Sequence, residues 1–321
     1  MRKLGCLTLL IVLAAIVGFF GVLHVWSGRG PLTRNVTVTV AQGSTLAGAS
    51  EQLQKAGAIT SASRFRVLAK VLGSSAPIKA GEYRIPAHLS QADILKLLQG
   101  GRTLQRFVTV PEGLPSVIVR DVLMKATELK GNVAVPVEGS VLPDSYSFDR
   151  GDSRAAMVAR MQKAMSRYLA DAWAKRAPGI VVTTPREALI LASIVEKETG
   201  KPSERSTVAA VYSNRLKRGM MLQADPTIIY PHTFGRPLGR RIPPPWIHEV
   251  NAYNTYAMVG LPSGPICNPG RASIDAVLNP ARSNALYFVA DGSGGHVFAD
   301  TLEQHNANVM KWRAFRKEHG I

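Results

Sequence analysis

Twenty consecutive residues without a charge, Leu4 to Leu23, constrain this chain more than any other feature. The run is rich in Leu, Ile, Val, Ala and Phe. As a helix rising about 1.5 Å per residue it reaches roughly 30 Å, the thickness of a hydrocarbon core. Arg2 and Lys3 stand before it, so the positive-inside tendency keeps the N-terminus cytoplasmic and exports the chain beyond Trp26. A cleaved signal peptide is the competing reading. The run is long for one, and no small-x-small cleavage site occurs near His24-Val25-Trp26, which favours an uncleaved single-pass anchor in the cytoplasmic membrane. Cys6 lies inside this run and Cys267 far from it, so no disulfide framework is expected. Lys3 occupies the position before Cys6 where lipoprotein processing wants an apolar residue.

The exported part carries the charge. The whole chain of 321 residues has a formal net charge of +17, which fits an anionic partner: nucleic acid, a membrane surface, or an acidic polymer such as bacterial wall. A merely solubilising surface gives the same number. No run of five Lys/Arg and no aromatic-basic RNA motif occurs, so nucleic acid is not an expected partner.

After a Gly/Pro linker at Ser27–Pro31, Val36-Thr-Val-Thr-Val40 alternates as a strand does. Helices are expected over Ala47–Ala56, Ser63–Leu72 and Gln91–Leu98, with a strand at Gly81–Ile85 and a stop at Gly100-Gly101. This strand, helix pair and strand order is similar to the LysM-like module of wall enzymes; a structural spacer is the other reading. A further strand is expected at Gln105–Val110. Beyond it come helices near Ser116–Lys130, Ser153–Lys175, Thr184–Thr199, Glu204–Lys217, Ser273–Leu278 and Thr301–Arg316. Strand-like runs are few, at Thr227–Tyr230 and Leu286–Val289, and Pro/Gly-rich connections cover Gly235–Pro245 and Gly260–Gly270.

The clearest local grammar is Thr184-Pro185-Arg186-Glu187, where a capping Thr, a Pro at the first helical position and a Glu three residues on spell a capping box. Ala188–Val195 is then nearly continuously apolar, so the helix is buried on most sides, and Gly200 can close it. Two carboxylates, Glu196 and Glu198, sit at its buried end. Helical spacing puts Glu198 in line with Val195, Ile194, Leu191 and Ile190, the greasiest stripe, and Glu196 behind Ser193, Ala192, Leu189 and Ala188. A carboxyl continuing an apolar stripe is desolvated, its pKa rises, and a proton stays available near neutral pH. Glu198 is therefore the better general acid and Glu196 a structural or electrostatic partner. The alternative is that both decorate a helix C-terminus beside Lys197 and Lys201.

The surrounding blocks resemble a known family. Ala192–Thr199, Ser203–Arg205, Val211–Leu216, Leu222–Tyr230, Ala252–Tyr256, Gly260–Ile266, Asn268–Gly270 and Tyr287–Gly292 with Gly295-His296 are similar to consecutive blocks of the endolytic murein transglycosylases, the YceG-like family. Upstream, Val110–Gly113 and Leu142–Tyr146 match as well, and the blocks keep the family's order.

The resemblance implies a lytic transglycosylase whose catalytic Glu matches Glu198. In that mechanism the Glu protonates the oxygen linking N-acetylmuramic acid (MurNAc) to N-acetylglucosamine (GlcNAc). It then serves as base on the muramoyl C6 hydroxyl, which closes onto C1 as a 1,6-anhydro ring. No cofactor, metal or second carboxylate is required, unlike the two-carboxylate scheme of most glycosidases. Expected substrate contacts are Glu196, Gln223, Asp225, Thr227, Tyr253, Asn254, Thr255, Tyr256 and Asn268. Asp225 is also a possible second carboxylate for hydrolysis, the Tyr253–Tyr256 group can equally be a polar loop with packed Tyr, and Asn268 can equally serve a turn. His296 and His305 fit no metal spacing and read as structural. Nascent glycan strands and peptidoglycan synthases are the partners implied.

Pro231-His232 replaces the family's usual Gly turn, Asn251-Ala252 replaces Ser-Pro, and Ser263 and Cys267 occupy variable loop places. These departures bear on the shape of the cleft loops. The expected fold class is α+β: an N-terminal transmembrane helix, a small LysM-like module and a larger helix-rich YceG-like catalytic domain. The boundaries are 1–3 cytoplasmic, 4–26 anchor, 27–34 linker, 35–104 module, 105–316 catalytic domain and 317–321 tail. A muramidase-type hydrolase and a non-catalytic wall-binding scaffold are the competing functions.

Overall fold

The computed structural model describes residues 2–320, with side chains from Leu9 onward. The chain is helix-rich α+β and divides into two compact units, residues 1–106 and 107–321.

The first unit begins with α1 (Arg2–Ser27), followed by β1 (Val36–Val40), α2 (Leu46–Lys55), α3 (Ala62–Leu72), β2 (Gly81–Ile85) and α4 (Gln91–Gly100). α1 is long and apolar enough over Leu9–Ser27 to cross a membrane, and its large side chains, Leu9 to Phe20 among them, are exposed. Its last turn differs. Trp26 is buried with its ring 6.0 Å from that of Phe65, and Gln91 Nε2 donates to Val25 O. The helix end is thus part of the unit's core, and Leu32, just past the Gly/Pro segment, is buried in the same cluster. β1 and β2 pair antiparallel with Val36 opposite Ile85 and Val40 opposite Gly81. The alternation of β1 puts Val38 and Val40 inward, against Leu53, Phe65, Tyr83 and Leu98. Thr45, Ser61 and Ser90 cap α2, α3 and α4 by accepting from the third helical N–H, and Gly101 closes α4 in the left-handed region.

The second unit runs through β3 (Arg106–Val110), α5 (Ser116–Lys125), β4 (Asp144–Phe148), α6 (Arg154–Ala174), α7 (Pro185–Glu198) and α8 (Arg205–Lys217). It continues with α9 (Asp225–Thr233), α10 (Pro244–Ile247), α11 (Arg271–Leu278), β5 (Tyr287–Ala290), β6 (His296–Ala299) and α12 (Leu302–His319). α7 is its axis. Ala188 and Ile190–Val195 are buried, packing against α8 through Val208, Ala209 and Tyr212 and against α11 through Ile274, Val277 and Leu278. A second cluster gathers β3, α5, β4 and the start of α6 around Val110, Leu123, Phe148 and Met161. β3 pairs with β4, and β5 pairs with β6 in an antiparallel hairpin against which α12 packs.

Three local expectations are corrected. Thr227–Tyr230 is not a strand but the body of α9, because Pro226 fits the first turn and Asp225 favours a helix N-terminus despite the β-branched run. The α7 cap is offset: Thr184 Oγ1 accepts from Glu187 N, but Glu187 Oε2 reaches back to Thr183 N and Thr183 Oγ1. The same helix ends on Thr199 in extended conformation, φ −139°, rather than on Gly200, so its last carboxylate meets a turn pinned by Lys201 N donating to Thr199 Oγ1. β4 and β6 are strands that local pattern did not indicate.

Candidate active site

Two residues apart on a helix point about 200° apart, and α7 uses this to send its two carboxylates to different neighbours. Glu196 meets the N-terminus of α11, where its Oε2 accepts from Gly270 N at 3.0 Å and from Ser273 Oγ at 2.6 Å. An anion there is favoured by the free N–H groups and the helix dipole. Glu196 therefore works as a cap joining α7 to α11.

Glu198 faces the other way, into a cavity of about 290 Å³ lined by Tyr212, Arg215, Leu222, Gln223, Asp225, Tyr256, Phe288 and His305. Its Oε1 is buried and has no hydrogen-bond partner. Burial is the main force on the group, raising its pKa to about 7; the negative charge of Asp225 adds to this, while hydrogen bonding from Tyr212 and the charge of Arg215 oppose it. A larger cavity, about 580 Å³, lies in the first unit, but Lys70 is the one charged residue among its lining side chains. The smaller cavity has the acid.

Its walls follow from the packing of α8 and the loops. Tyr212 and Arg215 share one face of α8, three residues apart. Tyr212 is fully buried, and burial together with Glu198 pushes its hydroxyl pKa far up, so it remains a donor. Arg215 stitches the cavity rim together: Nε donates to Leu286 O at 2.7 Å and Nη1 to Leu222 O at 2.8 Å. Gln223 adopts φ +53°, unusual for a residue with a side chain, and its N–H donates to Thr255 O. Asp225 opens α9, where Tyr256 Oη donates to its Oδ1 at 2.7 Å.

The cavity therefore gathers Glu198, Gln223, Asp225 and Tyr256 of the residues singled out in the sequence. The other candidates are employed elsewhere. Thr227 and Thr255 are fully buried, with Thr227 Oγ1 donating to Ala224 O and lying 2.8 Å from Thr255 Oγ1, while Thr255 Oγ1 accepts from Ala224 N. Asn254 is equally buried; its Nδ2 lies within donating distance of Trp246 O, Ile247 O and Glu249 O, and Oδ1 accepts from Tyr256 N. Tyr253 packs its ring 4.8 Å from that of Tyr230. Asn268 holds Leu114 O and Ser116 Oγ through Nδ2, and Val141 N through Oδ1. Thr227, Asn254, Thr255 and Asn268 thus spend their polar atoms on neighbouring backbone groups and on one another's or Ser116's hydroxyl.

Tyr212, Arg215 and Phe288 were not singled out by sequence, and His305 was read there as structural. The first three lie inside the motif blocks, and Tyr212 and Arg215 keep the i, i+3 spacing of a shared helix face. His296 pairs with Glu204: its Nδ1 lies 2.9 Å from Glu204 Oε2 and its backbone N–H donates to Glu204 Oε1. His305 instead lines the cavity. No group of three or more His, Cys, Asp or Glu able to hold a metal occurs among the described residues.

The family model described as YceG-like matches residues 38–311. The chain belongs to the YceG-like family. It is 28% identical over 322 residues to the endolytic murein transglycosylase of Bacillus subtilis (strain 168), covering 88% of this chain and 86% of that protein. It is also 28% identical over 348 residues to the endolytic murein transglycosylase of Streptococcus pneumoniae serotype 2 (strain D39 / NCTC 7466), covering 92% of this chain and 62% of that one. The pneumococcal relative is thus considerably longer. A crystal structure of a YceG-like protein from Listeria monocytogenes aligns with a TM-score of 0.54 at 28% identity, covering 85% of this chain and 98% of that chain.

Proposed function

We propose that this chain is a membrane-anchored lytic transglycosylase that cuts peptidoglycan glycan strands internally, at MurNAc–GlcNAc linkages of nascent strands, with Glu198 as acid and then base. The observation that carries the reading is the carboxyl of Glu198, buried at the wall of a cavity, with one oxygen unpartnered and a pKa of about 7. A group with that pKa is largely protonated just below neutral pH and becomes a competent base once it has given its proton away.

The step balances without another catalyst. Glu198 donates its proton to the glycosidic oxygen as the bond to C1 of the muramoyl residue breaks. The carboxylate then takes the proton of the C6 hydroxyl while O6 bonds to C1, closing the 1,6-anhydro ring and restoring the acid. Tyr212 and Arg215 favour the carboxylate form halfway through, and Asp225 favours the return of the proton. The curated relatives named endolytic murein transglycosylases support the substrate class.

A second reading keeps the substrate and changes the reaction. Asp225 lines the same cavity, so a muramidase-type hydrolase with Asp225 as the second carboxylate is its natural form.

In the wider proposal α1 is an uncleaved anchor with the folded part on the wall side. Residues 35–104 are a LysM-like module and 105–316 the catalytic domain. Peptidoglycan synthases are the partners that supply nascent strands. The test uses full-length protein in detergent with purified glycan strands. Glu198→Gln is expected to abolish cleavage while still binding strands. Undiminished cleavage by this variant would refute the assignment of Glu198.

A further inference from the structure

Four buried side-chain polar atoms among the described residues have no hydrogen-bond partner: Gln91 Oε1, Glu198 Oε1, Arg205 Nε and His305 Nδ1. Two of them, Glu198 Oε1 and His305 Nδ1, belong to residues lining one cavity. Buried polar atoms in folded proteins are nearly always paired, so a bare one beside a functional cavity points to a ligand. The proposed reaction already gives Glu198 Oε1 its partner. His305 Nδ1 has none.

His305 stands one turn into α12, its N–H donating to the capping residue's carbonyl, Thr301 O, at 3.0 Å. Its ring stacks on Tyr287 at 5.2 Å between centroids and 24° between planes, and the guanidinium of Arg215 lies 5.2 Å from that same Tyr287 ring. The stack orients the imidazole plane without using either nitrogen. Other histidines whose part is structural use theirs: His296 Nδ1 meets Glu204, and His319 Nδ1 meets Phe315 O. Burial and the nearby Arg215 charge push the His305 pKa down, so near neutral pH the ring offers one donor and one acceptor nitrogen. Such a ring suits a neutral group that both gives and accepts hydrogen bonds.

We propose that His305 is a substrate-binding residue of the Glu198 site, hydrogen-bonding a hydroxyl or acetamido group of the sugar beside the scissile linkage. This rests on the reading that the cavity takes a glycan strand. It does not make His305 an acid or base, since Glu198 alone balances the protons of the reaction. It brings α12, beyond the motif blocks read in the sequence but begun within the residues the family model matches, into the substrate site.

The test separates hydrogen bonding from packing. In full-length protein, His305→Phe keeps a ring to stack on Tyr287 but removes both nitrogens, whereas His305→Asn gives up the ring but puts polar atoms near the Nδ1 position. Turnover of glycan strands is measured for both variants and wild type. Strand affinity is measured in parallel in the non-cleaving Glu198→Gln background. The Phe variant is expected to lose about tenfold in kcat/KM, with a matching loss of affinity, and the Asn variant to recover most of it. Wild-type behaviour in the Phe variant, or a loss in Asn that Phe does not share, assigns His305 to packing and overturns the proposal. If wild type itself leaves strands uncut, the Glu198 reading fails and His305 is judged on affinity alone. Affinity lost in Phe and kept in Asn then supports it; affinity unchanged in Phe, or no strand binding at all, overturns it.

Discussion

Tyr256 Oη donates to Asp225 Oδ1 at 2.7 Å within the cavity that holds Glu198. The bond fixes where the second carboxylate of the site sits, and Asp225 in turn raises the pKa of Glu198 by its charge. Removing that charge with Asp225→Asn lowers the Glu198 pKa. Activity that needs the protonated acid falls as pH rises through this pKa, so the alkaline limb of the rate profile is expected to move to lower pH while cleavage persists. The pH dependence of kcat/KM is the measurement. Total loss of cleavage at every pH would instead make Asp225 indispensable, as the hydrolase reading requires.

The buried carboxyl of Glu198 also sets a pH dependence of stability. Its folded pKa, about 7, lies above the ordinary 4.5, so the folded protein holds this proton more tightly than the unfolded chain. The resulting stabilisation is complete below about pH 4.5 and is lost as pH rises through about 7. Glu198→Gln removes the effect. Thermal unfolding is expected to show the variant more stable than wild type above about pH 8, by on the order of 3 kcal/mol, with the gap closing toward acid pH.

Glu196 serves the packing of α7 on α11 rather than the cavity. It caps α11 through Gly270 N and Ser273 Oγ, so Glu196→Ala leaves those donors bare and is expected to destabilise the second unit by about 1–3 kcal/mol. The product of cleavage should be unchanged in kind. Denaturant unfolding and product analysis on the same variant check both halves.

Asn254 and Asn268 belong with Glu196 rather than with the cavity. Each is fully buried and holds backbone groups of neighbouring segments. Replacing either by Ala is expected to cost about 2 kcal/mol or more in stability, through several unsatisfied backbone groups. A variant with normal stability and a raised KM would contradict this and make the residue a substrate contact.

These assignments mark where sequence reasoning holds and where it stops. The burial of Glu198 was legible because helical periodicity alone aligns it with Ile190, Leu191, Ile194 and Val195, and all four are buried. The helices on either side were legible for the same reason, with ends shifted by a few residues. Thr227–Tyr230 misled because β-branched residues favour strands locally, while Asp225-Pro226 and packing favoured a helix. Thr227, Asn254, Thr255 and Asn268 are polar residues of the motif blocks, where the resemblance implies sugar contacts. These four side chains are buried instead and serve neighbouring backbone groups that need internal partners. Arg215 and His305 were beyond local pattern, since their place depends on how α8, α12 and the β5–β6 hairpin come together.

The most direct test of the central claim is mass spectrometry of the ends released when full-length protein cuts purified glycan strands. Glu198 acting as acid and then base, with the sugar's own O6 as nucleophile, predicts fragments ending in 1,6-anhydro-MurNAc that are absent with Glu198→Gln. Fragments ending in free reducing MurNAc would contradict that account and assign the reaction to water activated beside Asp225.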